Sequence, residues 1–379
     1  MNATPTNMTT LLLSEEQTML ADSARKWVAR HGAPTSSEAG DAERWRSMAE
    51  LGWLALPLPE ALGGLGGSTV DLCTLAEALG QAAQPTPWVA AAVLGAGLLA
   101  QAAPEAVAAE WAPLLAEGHR CVAFAAFEPG AHRVLSPQLT TAQRTAGGWQ
   151  LHGSKALVLG GPADAWLLLA RLHDRHDELG YFLLPRSAPG LRVESGRLVD
   201  GQPVCTLQLQ GVQLHGALRT GPAEDLLAMA DTAQARATLA HGAELVGAMA
   251  QALQLTLDYL KTRRQFGKPI AANQVVQHRL VDLHVQIEEA RAITRAAAAV
   301  FDGATLPLRR RWCAAAAACV AQAAHHQWEE VLQLHGAIAM TQEHDIGRYI
   351  KRLAVGRQLH GDAHGHLARL ADLSLPNTD

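Results

Sequence analysis

Aromatic residues are scarce in this 379-residue chain, at 4% of the sequence, while alanine and leucine dominate. That balance disfavours an aromatic-rich sheet protein and predicts that helix prevails. Charge of one sign is also lacking. Lys and Arg number 31 against 36 Asp and Glu, a net charge of −5, so there is no basic field for nucleic acid. Cysteine is sparse: Cys73, Cys121, Cys205, Cys313 and Cys319 are scattered, odd in number and form no CxxC pair. This excludes a disulfide scaffold and a cysteine zinc site, and reads as reduced thiols in a reducing compartment. Long uninterrupted apolar runs are missing too. The run from Trp88 to Ala103 is broken by Gly95 and Gly97 and bounded by Pro87 and Pro104, too short to span a bilayer. The opening MNATPTNMTT has no basic segment followed by an apolar one, so a cytoplasmic protein without membrane insertion is expected. What remains is 49% hydrophobic and 18% charged, the composition of a protein with a large core.

Three zones differ in texture, with boundaries expected at 1–120, 121–222 and 223–379. The first is helical. Ser14-Glu15-Glu16-Gln17 reads as a capping box ahead of Leu20, Ala24 and Trp27 at helical spacing. Pro57, Pro59 and the glycines from Gly63 to Gly67 mark a loop. A second helix is expected over 70–80 and a third after Pro87. The middle zone carries short apolar or alternating runs (Cys121–Phe127, Trp149–His152, Ala156–Leu159, Trp166–Ala170, Gly180–Leu184, Thr206–Leu214) separated by Gly, Pro and Asp, the signature of an antiparallel β domain. The third is helical again. Val246, Met249, Leu253, Leu257 and Leu260 form one stripe, and further helices are expected over 274–301, 308–335 and 345–373. Helices, strands and then longer helices make an α+β chain, with the functional cleft expected where the zones meet.

One segment carries chemistry of its own. Arg263-Arg264-Gln265-Phe266-Gly267-Lys268-Pro269-Ile270 ends a long helix, and Gln274 opens the next. Guanidinium groups beside fresh backbone N–H donors suit a phosphate or pyrophosphate. The same spacing also describes an ordinary helix–turn–helix with solvated arginines, and the spacing alone leaves both open.

RxxFGxxI followed by a Gln resembles the hallmark of the acyl-CoA dehydrogenase carboxy-terminal helical domain, here Arg263 to Gln274. Gln333-Leu334-His335-Gly336-Ala337 is similar to that family's Q-x-x-G-G turn, with Ala337 at the second glycine. Leu51-Gly52-Trp53, Pro59-Glu60, Gly63-Gly64-Leu65-Gly66, Glu77 with Gly80, and Gly147 to Lys155 resemble further family segments in the same order. The likeness covers almost the whole chain. It implies an N-terminal helical domain, a middle antiparallel β-barrel or sandwich and a C-terminal four-helix bundle. It also implies FAD as cofactor, an acyl-CoA substrate and an electron-transfer flavoprotein as acceptor. Arg263, Phe266, Gln274, Gln333 and Gly336 would serve the nucleotide end of a neighbouring subunit's FAD.

The departures are specific. The resemblance places the family's catalytic glutamate at His360, before Gly361-Asp362, and the base of a second branch at Ala237. The T-E-P-x-x-G-S-D loop is replaced by Phe127-Glu128-Pro129-Gly130-Ala131-His132-Arg133-Val134, and W-I-T by Leu157-Val158-Leu159. The residues for a neighbour's FAD are kept and those for this chain's own flavin ring are largely lost. This pattern resembles the small subunit of heteromeric, pimeloyl-CoA dehydrogenase-like enzymes, in which a second acyl-CoA dehydrogenase chain supplies the base and the assembly is a heterotetramer. The alternatives are a homo-oligomer using His360 as base, with Asp362 a lesser candidate, and a flavin-poor scaffold subunit. Glu244 reads as a partner within the bundle. His364 and His366 near Asp362 read as solvated residues at a helix end, with no metal expected. Residues 88–99 read as packing in the amino-terminal bundle or as lining of an acyl tunnel.

Overall fold

The computed structural model describes residues 12–32, 38–130, 135–160, 163–341 and 343–374. Residues 131–134, the altered end of the Phe127–Val134 loop, lie outside them. The chain forms two compact units, one of Met1–Pro34, Ser68–Pro85 and Thr238–Asp379, the other of Thr35–Gly67 and Thr86–Ala237. The α+β class and the helical, sheet, helical order of elements are as the sequence predicts.

The first unit is helical. Helix α1 (Glu15–His31) opens on the expected box: Ser14 Oγ accepts from Gln17 N at 3.1 Å, and Gln17 Oε1 accepts from Ser14 N at 3.0 Å. Helix α3 (Thr69–Gly80) opens on a second box, Ser68 with Asp71, that sequence reading passed over. It packs against α6 (Ala223–Thr262) where two glycines face each other's backbone. A Cβ on Gly80 would lie 1.9 Å from the Glu244 carbonyl, and one on Gly247 1.9 Å from that of Glu77. No side chain fits at either point. Glu77 is held by Arg291 Nε at 2.7 Å and Arg295 Nη2 at 3.2 Å, both on α7 (Gln274–Phe301). Helices α8 (Leu306–His335), α9 (Ile346–Leu359) and α10 (Ala363–Asp372) complete the unit. The predicted stripe of α6 lies in its core with Leu280, Leu283 and Ile287 of α7, Val331 of α8 and Leu353 of α9, although Leu257 is only partly buried.

One expectation is corrected here. The single helix expected over 345–373 is two, broken at His360–Asp362. Gly361 adopts φ +124°, outside helical space, and Asp362 caps α10 by accepting from Gly365 N at 2.7 Å.

The second unit holds α2 (Glu38–Glu50), a π-helical segment (Trp88–Ala96), α4 (Gly97–Ala102), α5 (Glu105–Ala116) and an eight-stranded sheet. Its strands are β1 (Val122–Ala125), β2 (Thr141–Thr145), β3 (Gly148–Leu159), β4 (Ala165–Leu172), β5 (Arg175–Pro185), β6 (Leu191–Arg197), β7 (Pro203–Leu214) and β8 (Arg219–Pro222), in the order β6-β7-β3-β2-β4-β5-β8 with β1 beside β4. Most pairings are antiparallel, but β1–β4 and β2–β4 run parallel. The two runs around 149–159 are one strand interrupted by irregular register. Strands β2, β6 and β8 gave little apolar signal because they are exposed along much of their length. Leu151, Leu168, Phe182, Leu207 and Val212 build the sheet's core.

Candidate functional site

Helix α6 ends at Thr262, and a two-strand hairpin follows, β9 (Arg264–Gln265) paired with β10 (Lys268–Pro269). Its two-residue turn is Phe266-Gly267, with φ +50° and +81°. Such a turn requires left-handed backbone at both central positions. Glycine adopts it freely, whereas phenylalanine is strained there by about 1 kcal/mol. The Phe266 side chain is 100% exposed, so no contact within the chain offsets that strain. Arg263 is exposed beside it, as is Gln274 at the start of α7.

The second segment lies against the first. Tyr259, one turn before Arg263, stacks on His335 with ring centroids 4.6 Å apart, and its hydroxyl donates to the His335 carbonyl at 3.4 Å. His335 closes α8 and is followed by Gly336, which has φ +66° and no atom within 4 Å of where a Cβ would lie. Gln333 and Gly336 are exposed. The geometry therefore brings Arg263, Phe266, Gln274, Gln333 and Gly336 to two adjoining, open segments. Guanidinium, helix N-terminal N–H groups, an amide and an uncovered aromatic face suit a nucleotide diphosphate.

His360 stands elsewhere in this unit, at the end of α9 and half-buried. Its ring lies 4.7 Å from that of His241 at 37°. His241 is on α6, one turn past Ala237, whose methyl is fully buried. Nε2 of His241 meets the Gly356 carbonyl at 2.9 Å, and Nδ1 meets Glu244 Oε2 at 3.3 Å. The other oxygen of Glu244 accepts from Arg352 Nη2 at 2.8 Å. His241, Glu244 and Arg352 are 5%, 6% and 2% exposed. Burial would raise the Glu244 pKa, but the Arg352 charge and the His241 contacts outweigh it and hold the carboxylate below its ordinary range. Glu244 thus pairs within the bundle, as its place on α6 predicts. His241 and Arg352 went unrecognised in the sequence because they lie 111 positions apart on separate helices and match no motif.

Asp362 caps α10 and is exposed, as is His364, while His366 is buried against Gly361. Among the described residues no group of three or more His, Cys, Asp or Glu is arranged to hold a metal. Among them, too, no helix is long and apolar enough to cross a membrane.

In the sheet unit, Leu157, which the resemblance sets against the family's tryptophan, has φ +52° and 37% exposure, on the irregular part of β3. It offers an apolar surface but no ring and no hydroxyl. Glu128, retained from the altered loop, is structural. Its carboxylate accepts from the backbone N–H groups of Gln138, Leu139 and Thr140 at 2.7–2.8 Å and from buried Lys155 Nζ at 3.4 Å. Burial would raise its pKa, yet these hydrogen bonds and the lysine bring it down to about 2. Residues 88–99 are taken up by packing. Trp88 Nε1 donates to the Trp53 carbonyl at 3.0 Å, and a Cβ on Gly95 would lie 2.1 Å from the Val122 carbonyl.

This arrangement and the order of motifs define an acyl-CoA dehydrogenase-type flavoprotein. The chain belongs to the acyl-CoA dehydrogenase family, a family of FAD-dependent oxidoreductases. Residues 14–119 match the family's N-terminal domain and 227–373 its C-terminal domain. Acyl-CoA dehydrogenase IpdE2 of Mycobacterium tuberculosis is 30% identical, over 94% of this chain and 96% of its own length. Among solved structures, the Tcur3481-Tcur3483 steroid ACAD variant has a TM-score of 0.83 at 29% identity, over 95% of this chain and 97% of that one. The ChsE4-ChsE5 complex of Mycobacterium tuberculosis has a TM-score of 0.84 at 24% identity, over 97% and 99%, a likeness of fold.

Proposed function

We propose that this chain is one component of a two-chain, FAD-dependent acyl-CoA dehydrogenase whose second chain supplies the carboxylate base. The observation that carries this reading is an asymmetry. Arg263, Phe266, Gln274, Gln333 and Gly336 are present, exposed and adjoining. Leu157 and His360 replace the flavin-facing tryptophan and the catalytic glutamate. In this reading the five exposed residues grip the dinucleotide end of an FAD held by the partner. Phe266 and Gly336 give flat, uncovered approach, and Arg263 and the start of α7 supply positive charge and N–H donors. FAD, when bound, supplies the acceptor for the hydride leaving the β-carbon of the thioester. The heteromeric complexes named among the similar structures, one of them a steroid enzyme, support a second chain and a bulky acyl-CoA substrate. Electrons then pass to an electron-transfer flavoprotein, and the assembly works in the cytoplasm.

Co-expression with a base-bearing acyl-CoA dehydrogenase chain tests this. Oxidation of acyl-CoA thioesters with a ferrocenium acceptor is expected only from the pair. Full turnover by this chain alone contradicts it.

A second reading rests on one observation, the half-buried His360 ring backed by His241. In it His360 is the proton acceptor of this chain's own site, since imidazole is a competent base near neutrality. His360→Ala in the assembled enzyme separates the two: unchanged turnover leaves the base with the partner, and loss of turnover assigns it to His360.

A further inference from the structure

We propose that Tyr259 and His335 are positioning residues, a clasp of two stacked rings that sets the spacing between the two segments of the flavin-nucleotide site. This rests on the leading reading above, in which Arg263, Phe266, Gln274, Gln333 and Gly336 grip an FAD held by the partner. The clasp acts through the backbone that carries those residues.

The two segments lie at the ends of different helices, α6 and α8. A diphosphate that spans them is gripped well only if their separation is fixed before it binds. The Tyr259 and His335 rings join them, with centroids 4.6 Å and planes 17° apart. His344, which lies between the Gly336–Met340 turn and α9, closes the group edge-on. Its ring is 5.1 Å from His335 at 65° and 5.7 Å from Tyr259 at 81°, and its Nδ1 accepts from Ile346 N at 3.1 Å. Each ring of the clasp is one backbone step from the site. Arg263 N donates to the Tyr259 carbonyl at 2.8 Å, and Gly336 follows His335 directly.

The stack itself does the holding. His335 is 4% exposed, and its Nδ1 donates to the Val331 carbonyl at 3.0 Å. Nε2 is then the bare acceptor of a neutral ring, buried and without a hydrogen-bond partner among the described residues. Burial, aided by His344 and only partly opposed by the Val331 bond, pushes the His335 pKa below its ordinary value. On its Nε2 side the ring is therefore held by ring contacts and no hydrogen bond. Gly336 turns the chain away with φ +66° and ψ −144°, backbone that glycine adopts freely and other residues do not. The course of the turn thus follows from where His335 is held.

The test is the FAD dissociation constant of the co-purified complex with a base-bearing chain, deflavinated and titrated with FAD by flavin fluorescence. Five variants are compared with the wild type: Arg263→Gln, His335→Leu, His335→Phe, Tyr259→Leu and the double leucine variant. Leucine and phenylalanine at 335 both lose the Val331 bond, but only phenylalanine keeps a flat face. We expect Arg263→Gln to weaken FAD about tenfold or more. Each single leucine variant should weaken it about five- to tenfold, the double variant no more than about tenfold, and His335→Phe should stay within about twofold. If Arg263→Gln weakens FAD but the leucine variants do not, the grip stands and the clasp is overturned. The clasp is also overturned if the two leucine losses multiply to about 50-fold, or if phenylalanine behaves as leucine does. If Arg263→Gln leaves affinity unchanged, the grip falls and the clasp with it. Should a leucine variant fail to assemble, amide hydrogen exchange of the wild-type complex decides. FAD should slow exchange in residues 263–267 and 336–340 together, and slowing in one segment alone overturns the clasp.

Discussion

Phe266, in the candidate site, shows at the scale of one residue a conformation held against local preference. A fully exposed aromatic ring in left-handed backbone contributes nothing to the packing of its own chain. Phe266→Ala should therefore leave thermal stability within about 0.5 kcal/mol of wild type. In the assembly it should lower the retained flavin-to-protein ratio at least several-fold, measured by absorbance after gel filtration. A large loss of melting temperature with unaltered flavin would assign Phe266 to folding instead. This residue was legible in the sequence because RQFG is a contiguous motif. His241 was not, since its meaning comes from Glu244, Gly356 and His360, which only folding brings to it.

At the scale of elements, the Arg352–Glu244 pair joins α9 to α6 inside the core. Arg352→Met leaves a buried carboxylate with His241 alone and should destabilise the protein by about 3–5 kcal/mol in chemical denaturation. Adding Glu244→Gln should restore part of that loss, because the unpaired buried carboxylate charge is then gone. The sheet unit has its own anchor in Glu128. Its pKa is depressed from an ordinary 4.5 to about 2, so its contribution is complete above pH 4.5 and lost as pH falls toward 2. Melting temperature should fall over that window, and Glu128→Gln should flatten this limb of the profile while lowering stability at pH 7.

Elements differed in how well the sequence announced them. The apolar stripe of α6, the capping box of α1 and the buried β4 were readable from periodicity and composition. The break at His360–Asp362 was missed because apolar spacing continues across it, while the stop depends on one glycine's backbone and one aspartate cap. Strands β2, β6 and β8 were missed because strands with much of their length in solvent need no apolar alternation.

At the scale of the whole molecule, in the proposed reading the chain keeps the surface that a neighbour's cofactor would need and gives up the side chains that would serve its own. In that reading catalysis is shared between chains, which makes flavin content the property that reports it most directly. The decisive measurement is the flavin absorbance per protein chain of the purified protein, alone and co-purified with a base-bearing acyl-CoA dehydrogenase chain. The account predicts a colourless isolated chain and a yellow complex with about one FAD for each pair of unlike chains. A yellow, homo-oligomeric protein with one FAD per chain, bleached by acyl-CoA without any partner, would contradict it.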